Sequence, residues 1–294
     1  MTLVSTATLL EAAYARGGGI AALNVITLEQ AEGTVLGAEQ AGLPLILQVS
    51  QNATRFHLGD PAPLAAALAA LASSGQVDVS LHLDHVTEQG LLHRAADCGF
   101  SSVMFDAGPL PYAENVEATA DAVRWGHAHG LLVEAELGFV GGKPGDPAES
   151  AEVESAHGSG VRTDPDQAAS YVAATGIDAL AVAVGSSHAM TTATAELDLD
   201  LIARLAAAVP VPLVLHGSSG VPQPMIAAAV AAGMTKVNVG TITSIAMTRV
   251  IRRHLHEQPL VHDPRQYLAP ARSAVSTVVA ELVATIGLAG PRER

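Results

Sequence analysis

Cysteine is nearly missing from this chain. Cys98 is the only one in 294 residues, which excludes an internal disulfide and any zinc centre built from several thiolates. Positive charge is scarce too: lysine occurs only at Lys143 and Lys236, and the formal charge is −14. That balance argues against nucleic acid and anionic membrane surfaces as partners. It also means that a phosphate site must be made locally, from backbone N–H groups and a few arginines. Long apolar runs are absent. The longest, near 64–72, falls far short of the roughly 20 residues that span a bilayer. The opening MTLVSTATLLEAAYARGGG lacks the basic-then-apolar order of a signal peptide. A soluble cytoplasmic protein is the expectation.

What is present is material for a core. The chain is 49% hydrophobic, so disorder is not expected, and its length suits one large domain or two ordinary ones. Eight short apolar runs stand out: IAALNV (20–25), PLILQV (44–49), VSLHLD (79–84), SVMFD (102–106), LLVEAEL (131–137), ALAVAV (179–184), PLVLH (212–216) and KVNVG (236–240). Alanine-rich stretches with helical spacing lie between them, several ending in glycine. Strands alternating with helices imply parallel βαβ units. Eight units without a break in composition favour an α/β fold, a single (β/α)8 TIM barrel over residues 1–294. The alternative is a doubly wound open sheet, but no GxGxxG follows the first strand, and GGG at 17–19 precedes it.

Two segments lie outside this packing. Residues 138–164 are long, polar and glycine-rich, as expected of a mobile active-site loop. From about 245 to 294 a tail containing HDPRQYLAPAR forms a C-terminal helical extension, for which oligomer contact is the usual reason.

Barrel chemistry gathers at the C-terminal ends of the strands. Read in order, those ends are Asn24, Ser50, Asp84 with His85, Asp106, Glu136, His188, His216 and Asn238. Three histidines from separate strand ends can converge on one metal with positions left open. Zinc suits imidazole best among the abundant metals, with cobalt or iron able to replace it. His82, deeper in its strand, reads as a hydrogen-bonded core residue. HGSSG at 216–220 and NVGT at 238–241 follow the seventh and eighth strands, where barrels often hold a phosphate on backbone N–H groups. Alternation puts Glu134 and Glu136 on one side of their strand. Lys236 lies within the last strand, which leaves a Schiff-base mechanism open.

These residues, in this order, resemble the class II, metal-dependent ketose-bisphosphate aldolases, which include fructose- and tagatose-bisphosphate aldolases. The matching stretches are ALNV, LHLDH, VEAELG followed by GG, AVAVGSSH, VPLVLHGSSG, TKVNVGT and DPRQYL, and they span nearly the whole chain. The resemblance implies an aldehyde-lyase: reversible cleavage of a fructose or tagatose 1,6-bisphosphate to dihydroxyacetone phosphate and an aldehyde such as glyceraldehyde 3-phosphate, as in glycolysis. It implies that His85, His188 and His216 bind catalytic zinc and that Asp84 is the acid/base at the C4 oxygen. Asp106 and Glu136 look like the family's alternative metal site. Gly217, Ser218, Ser219, Asn238, Val239, Gly240 and Thr241 match the segments that hold the C1 phosphate and the dihydroxyacetone end. Asn24 and Ser50 match substrate-contacting positions. Arg265 matches an arginine that reaches a neighbouring subunit's site to bind the distal phosphate, so a homodimer or homotetramer is implied.

The chemistry fits the residues independently. A retro-aldol step needs a base for the C4 hydroxyl and an electron sink at the C2 carbonyl, which a metal provides. A second acid must protonate the enediolate carbon, and the long loop is its expected home. There the chain departs from the family, whose fructose-specific members often carry paired glutamates. The loop here reads GGKPGDPAES, with Asp146, Glu149, Glu152 and Glu154 as candidates. Ala189 follows the second zinc histidine where many members have a glycine that presents its backbone to the phosphate and a monovalent cation, Na+ or K+. The aldehyde specificity therefore stays open, with deoxy- and sulfo-sugar phosphates beside the two bisphosphates. A metal-dependent hydrolase and a non-catalytic sugar-phosphate binder are the other readings; strand one lacks the HxH pair usual in such hydrolases.

Overall fold

The computed structural model describes residues 3–138, 140, 162–188 and 190–287. Eight strands, β1 (Ile20–Asn24), β2 (Leu45–Ser50), β3 (Val79–Val86), β4 (Ser102–Phe105), β5 (Leu132–Leu137), β6 (Ala179–Val182), β7 (Leu213–Leu215) and β8 (Met234–Val239), pair in chain order, all parallel, and close as a barrel through β8 on β1. This is the single (β/α)8 barrel that the alternating pattern predicts, and the open sheet is excluded. Most of the expected loop, including Lys143, Asp146, Glu149, Glu152 and Glu154, lies outside the described residues, as does Ala189.

Period-two alternation divides each strand between two cores. Leu23, Leu47 and Leu83 join the large cluster beneath the helices, whereas Ile20, Ala22, Ile46, Ala179, Ala181 and Val214 form a smaller one inside the barrel. The first helix, α1 (Thr6–Ala15), closes the N-terminal mouth by adding Leu9, Leu10 and Ala13 to that inner cluster. Its polar edge is satisfied within the barrel: Thr6 donates to Ser80 at 3.0 Å and accepts from Ser102 at 2.7 Å.

The outer layer comprises α2 (Leu28–Ala41), α3 (Gln51–Phe56), α4 (Ala62–Ser74), α5 (Gln89–Asp97), α6 (Tyr112–Ala128), α7 (Pro165–Thr175), α8 (Leu199–Ala208), α9 (Gln223–Ala232), α10 (Thr241–Glu257) and α11 (Arg265–Gly287). Their starts carry local signals. Thr27, Asp164 and Asp198 cap α2, α7 and α8 by accepting backbone N–H groups of the first turn.

The tail is part of the barrel wall. Helix α11 lies along α2 and against β1 and α9, with Val275, Val279, Val283 and Ile286 in the main core. Close approach depends on Gly33 and Gly37, one turn apart on α2. A Cβ at Gly37 would lie 2.6 Å from the Ser276 carbonyl oxygen and 2.7 Å from Val279 Cβ. Among the described residues, no helix is long and apolar enough to cross a membrane.

Gly37→Val forces α11 away from α2. The expected cost is about 1–3 kcal/mol, the usual penalty of overpacking, and it is read as a lowered thermal midpoint. An unchanged midpoint would show that α11 is not clamped at this point.

Candidate active site

Strict alternation would send Asp84 and His85 to opposite faces of β3. They share the mouth because β3 carries one extra residue there. Leu83 pairs with Val103, but the next partners are Val86 and Phe105. The bulge is made by His85, whose φ of 52° lies in the left-handed region, an arrangement that costs a non-glycine residue about 1–2 kcal/mol. Both side chains consequently line a cavity of about 490 Å3 at the C-terminal end of the barrel.

The imidazoles of His85, His188 and His216 meet there. Their ring centroids are 4.9–5.6 Å apart, and one ligand nitrogen from each lies within 4.8 Å of the others. Asp106 Oδ2 takes Nδ1 of His85 at 3.0 Å, which fixes that ring and leaves Nε2 for other use. The sequence puts His188 at a strand end, but β6 stops at Val182, so His188 sits well into the following loop. Three imidazoles that converge in this way fit a divalent ion of the zinc type, with an open position for substrate.

His216 is the most constrained of the three. It is fully buried, with Glu136 at 2.6 Å from Nδ1 and Glu134 at 3.0 Å from Nε2. Burial would push its pKa down, but these hydrogen bonds outweigh it and raise the value to about 9. Since both nitrogens are taken, His216 can serve as a ligand only by giving up one carboxylate. Glu134 also holds the Lys236 ammonium at 2.8 Å. Burial opposes its charge, yet Lys236 and the His216 hydrogen bond bring its pKa down to about 2. Lys236 is sealed in the barrel and committed to Glu134, so the structure gives no support to a Schiff base.

Asp84 rests on the same column. Burial pushes its pKa up, but the charges of His85 first, and then of His216 and Lys236, hold it below the usual carboxylate range. Asn24 donates to Asp84 Oδ2 at 2.9 Å, and Gln48 donates to Asn24 at 3.1 Å. Asp84 Oδ1 is buried, 3.9 Å from His82 Nε2. Burial first, and Lys236 second, lower the His82 pKa to about 3, so this histidine is a neutral core residue, bonded to Ser102 at 2.7 Å.

Across the mouth, the turn after β7 and the start of α10 line the cavity through Gly217, Ser218, Ser219, Gly240 and Thr241. Gly217 has φ 66°, and a Cβ there would stand 2.5 Å from the Ser187 carbonyl oxygen. Ser218 donates to the Asn238 carbonyl, and Ser219 Oγ accepts the N–H groups of Gly240 and Ile242 at 3.4 and 3.3 Å. A helix N-terminus beside a glycine turn is suited to an anion.

Asn24, Ser50, Asp84, His85, Asp106, His188 and Asn238 thus line one cavity, while Glu136 and His216 lie beneath it. Val239 belongs to the main core, so only its backbone is available. Arg265 does not line the cavity; its guanidinium grips Asp263. Sequence reasoning missed Gln48 and Arg55. Gln48 was within reach, since it stands two residues before Ser50 on the same face of β2.

A family model described as fructose-bisphosphate aldolase class-II matches residues 4–291. The chain is 35% identical over 292 residues to the fructose-bisphosphate aldolase of Geobacillus stearothermophilus, covering 99% of both. It is similar to the crystal structure of the YdjI aldolase from Escherichia coli K12, with TM-score 0.81, 31% identity and coverage of 97% and 98%. The fructose-bisphosphate aldolase of Campylobacter jejuni shares the fold at TM-score 0.80 and 22% identity, over 97% of this chain and 95% of that one.

Glu134→Ala leaves Lys236 as an unpaired buried charge. The expected destabilisation is about 3–5 kcal/mol in denaturant melts. Adding Lys236→Met should recover most of it, and a single variant as stable as the parent would refute the pairing.

Proposed function

The chain belongs to the class II fructose-bisphosphate aldolase family, and from that premise we propose that it reversibly cleaves fructose or tagatose 1,6-bisphosphate, giving dihydroxyacetone phosphate and an aldehyde such as glyceraldehyde 3-phosphate. One observation carries this reading: His85, His188 and His216 bring their ligand atoms within 4.8 Å of one another, beside a buried aspartate. Those three residues would hold zinc, or cobalt or iron in its place, and the ion would polarise the ketose carbonyl and stabilise the charge that develops on it.

The protein's own groups do the rest. Asp84 is ionised, and since Oδ1 faces His82, the oxygen Oδ2 held by Asn24 is the one left to take the C4 hydroxyl proton. Asp106 keeps His85 in the tautomer a ligand needs. Asp106 and Glu136 also fit the role of a second resting place for the ion, since each already holds a ligand histidine. The turn 217–219 and the start of α10 at 240–241 would bind the C1 phosphate, with a monovalent cation beside it. The proton for the carbon left by bond cleavage is assigned to the segment 138–164. Arg265, held by Asp263 and largely exposed, supports service to a neighbouring copy in a homodimer or homotetramer. The proposed setting is cytoplasmic sugar metabolism.

The test is triose-phosphate release from both bisphosphates, with EDTA and then with zinc restored. Activity abolished by EDTA and recovered with zinc is expected; activity indifferent to both refutes the metal assignment. Asp84→Ala should keep its zinc and lose about a hundredfold or more in kcat. A near-normal kcat would remove Asp84 from the acid/base role. His216→Ala should lose zinc by elemental analysis, and full retention would take it off the ligand set.

A further inference from the structure

We propose that Arg55 is the specificity residue for the aldehyde half of the substrate, and that it selects ketoses whose far end carries an anionic group. This rests on the aldolase reading above. Helix α3 begins directly after β2, where Ser50 Oγ caps it by accepting the Ala53 N–H at 3.1 Å. Arg55 follows one turn later and lines the cavity, and among the described residues it is the only arginine or lysine to do so.

Its position relative to Asp84 is fixed. Gln51, itself buried, accepts the Thr87 N–H at 2.9 Å and donates to Thr87 Oγ1 at 2.9 Å and to Glu88 at 3.3 Å. Glu88 in turn takes Arg55 Nη2 at 2.6 Å. These contacts staple α3 to the loop that leaves β3, three residues beyond Asp84.

The order of groups around the barrel then assigns the two ends of the substrate. The anion cradle stands on β7 and β8, and Asp84 stands on β3. With the C1 phosphate in the cradle and the C4 hydroxyl at Asp84, the atoms beyond C4 lie next to the loops that flank Asp84. One of these is the loop after β2, the strand that pairs with β3, and it brings Asn52 and Arg55 to the cavity. A cation there meets the far end of the chain.

Arg55 can exchange partners. Its side chain is 58% exposed and that of Glu88 59%, so the pair is screened and weak. An incoming phosphate, carboxylate or sulfonate can take over the fork of N–H donors, two of them in parallel. Without a substrate, Glu88 keeps the guanidinium at the rim. In a chain of net charge −14, Arg55 is the cation that the described cavity lining offers an anionic tail, alongside the Arg265 proposed to come from a neighbouring copy.

The test compares kcat/KM for fructose 1,6-bisphosphate and fructose 1-phosphate in the zinc-loaded protein and in Arg55→Ala and Arg55→Lys. Arg55→Ala should lower the bisphosphate preference about tenfold or more, the loss expected of one charge-assisted contact. Arg55→Lys, which keeps the charge but loses the fork, should fall between the parent and the alanine variant. A preference unchanged in Arg55→Ala overturns the assignment, and so does a lysine variant as poor as the alanine one. Wild-type exchange of a carbon-bound proton of dihydroxyacetone phosphate with solvent is measured alongside, because it does not involve the aldehyde half. If that exchange is absent, the aldolase reading falls and this inference with it; if it is present while the preference stays put, only this inference fails.

Discussion

One carboxylate ties the barrel to its chemistry. Glu134 stands in the interior with one oxygen on Lys236 and the other on His216, and Glu136, two residues further up the same face, takes the other nitrogen of His216. Inside a barrel that excludes water, none of these groups is tolerable alone, because an unpaired buried charge costs several kcal/mol. Together they form a column in which each charge is answered by its neighbour. The column also sets the electrostatics above it: Lys236 and His216 help to keep Asp84 ionised, and Lys236 helps to keep His82 neutral.

The upper half of the barrel is therefore built differently from the lower half. Near the N-terminal mouth, aliphatic residues and hydroxyls close the interior around α1. Higher up, Gln48, Glu134, Lys236 and His216 replace them, with His85, His188 and Asp84 at the rim. Several of these side chains are held by a neighbour: Asn24 by Gln48, His85 by Asp106 and His216 by Glu136. Such backing fixes side-chain orientation before any ligand arrives.

Much of this was legible in the sequence. Eight apolar runs with helical stretches between them specify a parallel barrel, because strands that bury both faces read as continuous apolar segments and parallel neighbours need long crossovers. Reading the polar residues at the run ends collects Asn24, Ser50, Asp84, His85, Asp106, His188 and Asn238 of the cavity lining. Geometry that departs from the repeat was not legible. Nothing in LHLDH announces that His85 takes a positive φ, and without the bulge Asp84 and His85 would face apart. The position of Lys236 leaves a Schiff base open in the sequence because its partner, Glu134, lies 102 residues away. Arg55 escaped notice since an arginine on a short surface helix has no periodicity that separates it from an ordinary solvated residue.

The seating of α11 on α2 has a consequence for how the molecule is made. Arg272 of α11 bonds to Glu32 of α2 across 240 residues of chain. At about 5–20 residues per second of synthesis, α2 emerges from the ribosome roughly ten to fifty seconds before the helix that covers its glycine face. The wall of the barrel that is translated first is thus the last to be closed. During that interval the nascent chain carries an open seam, with the α2 face destined for α11 still uncovered.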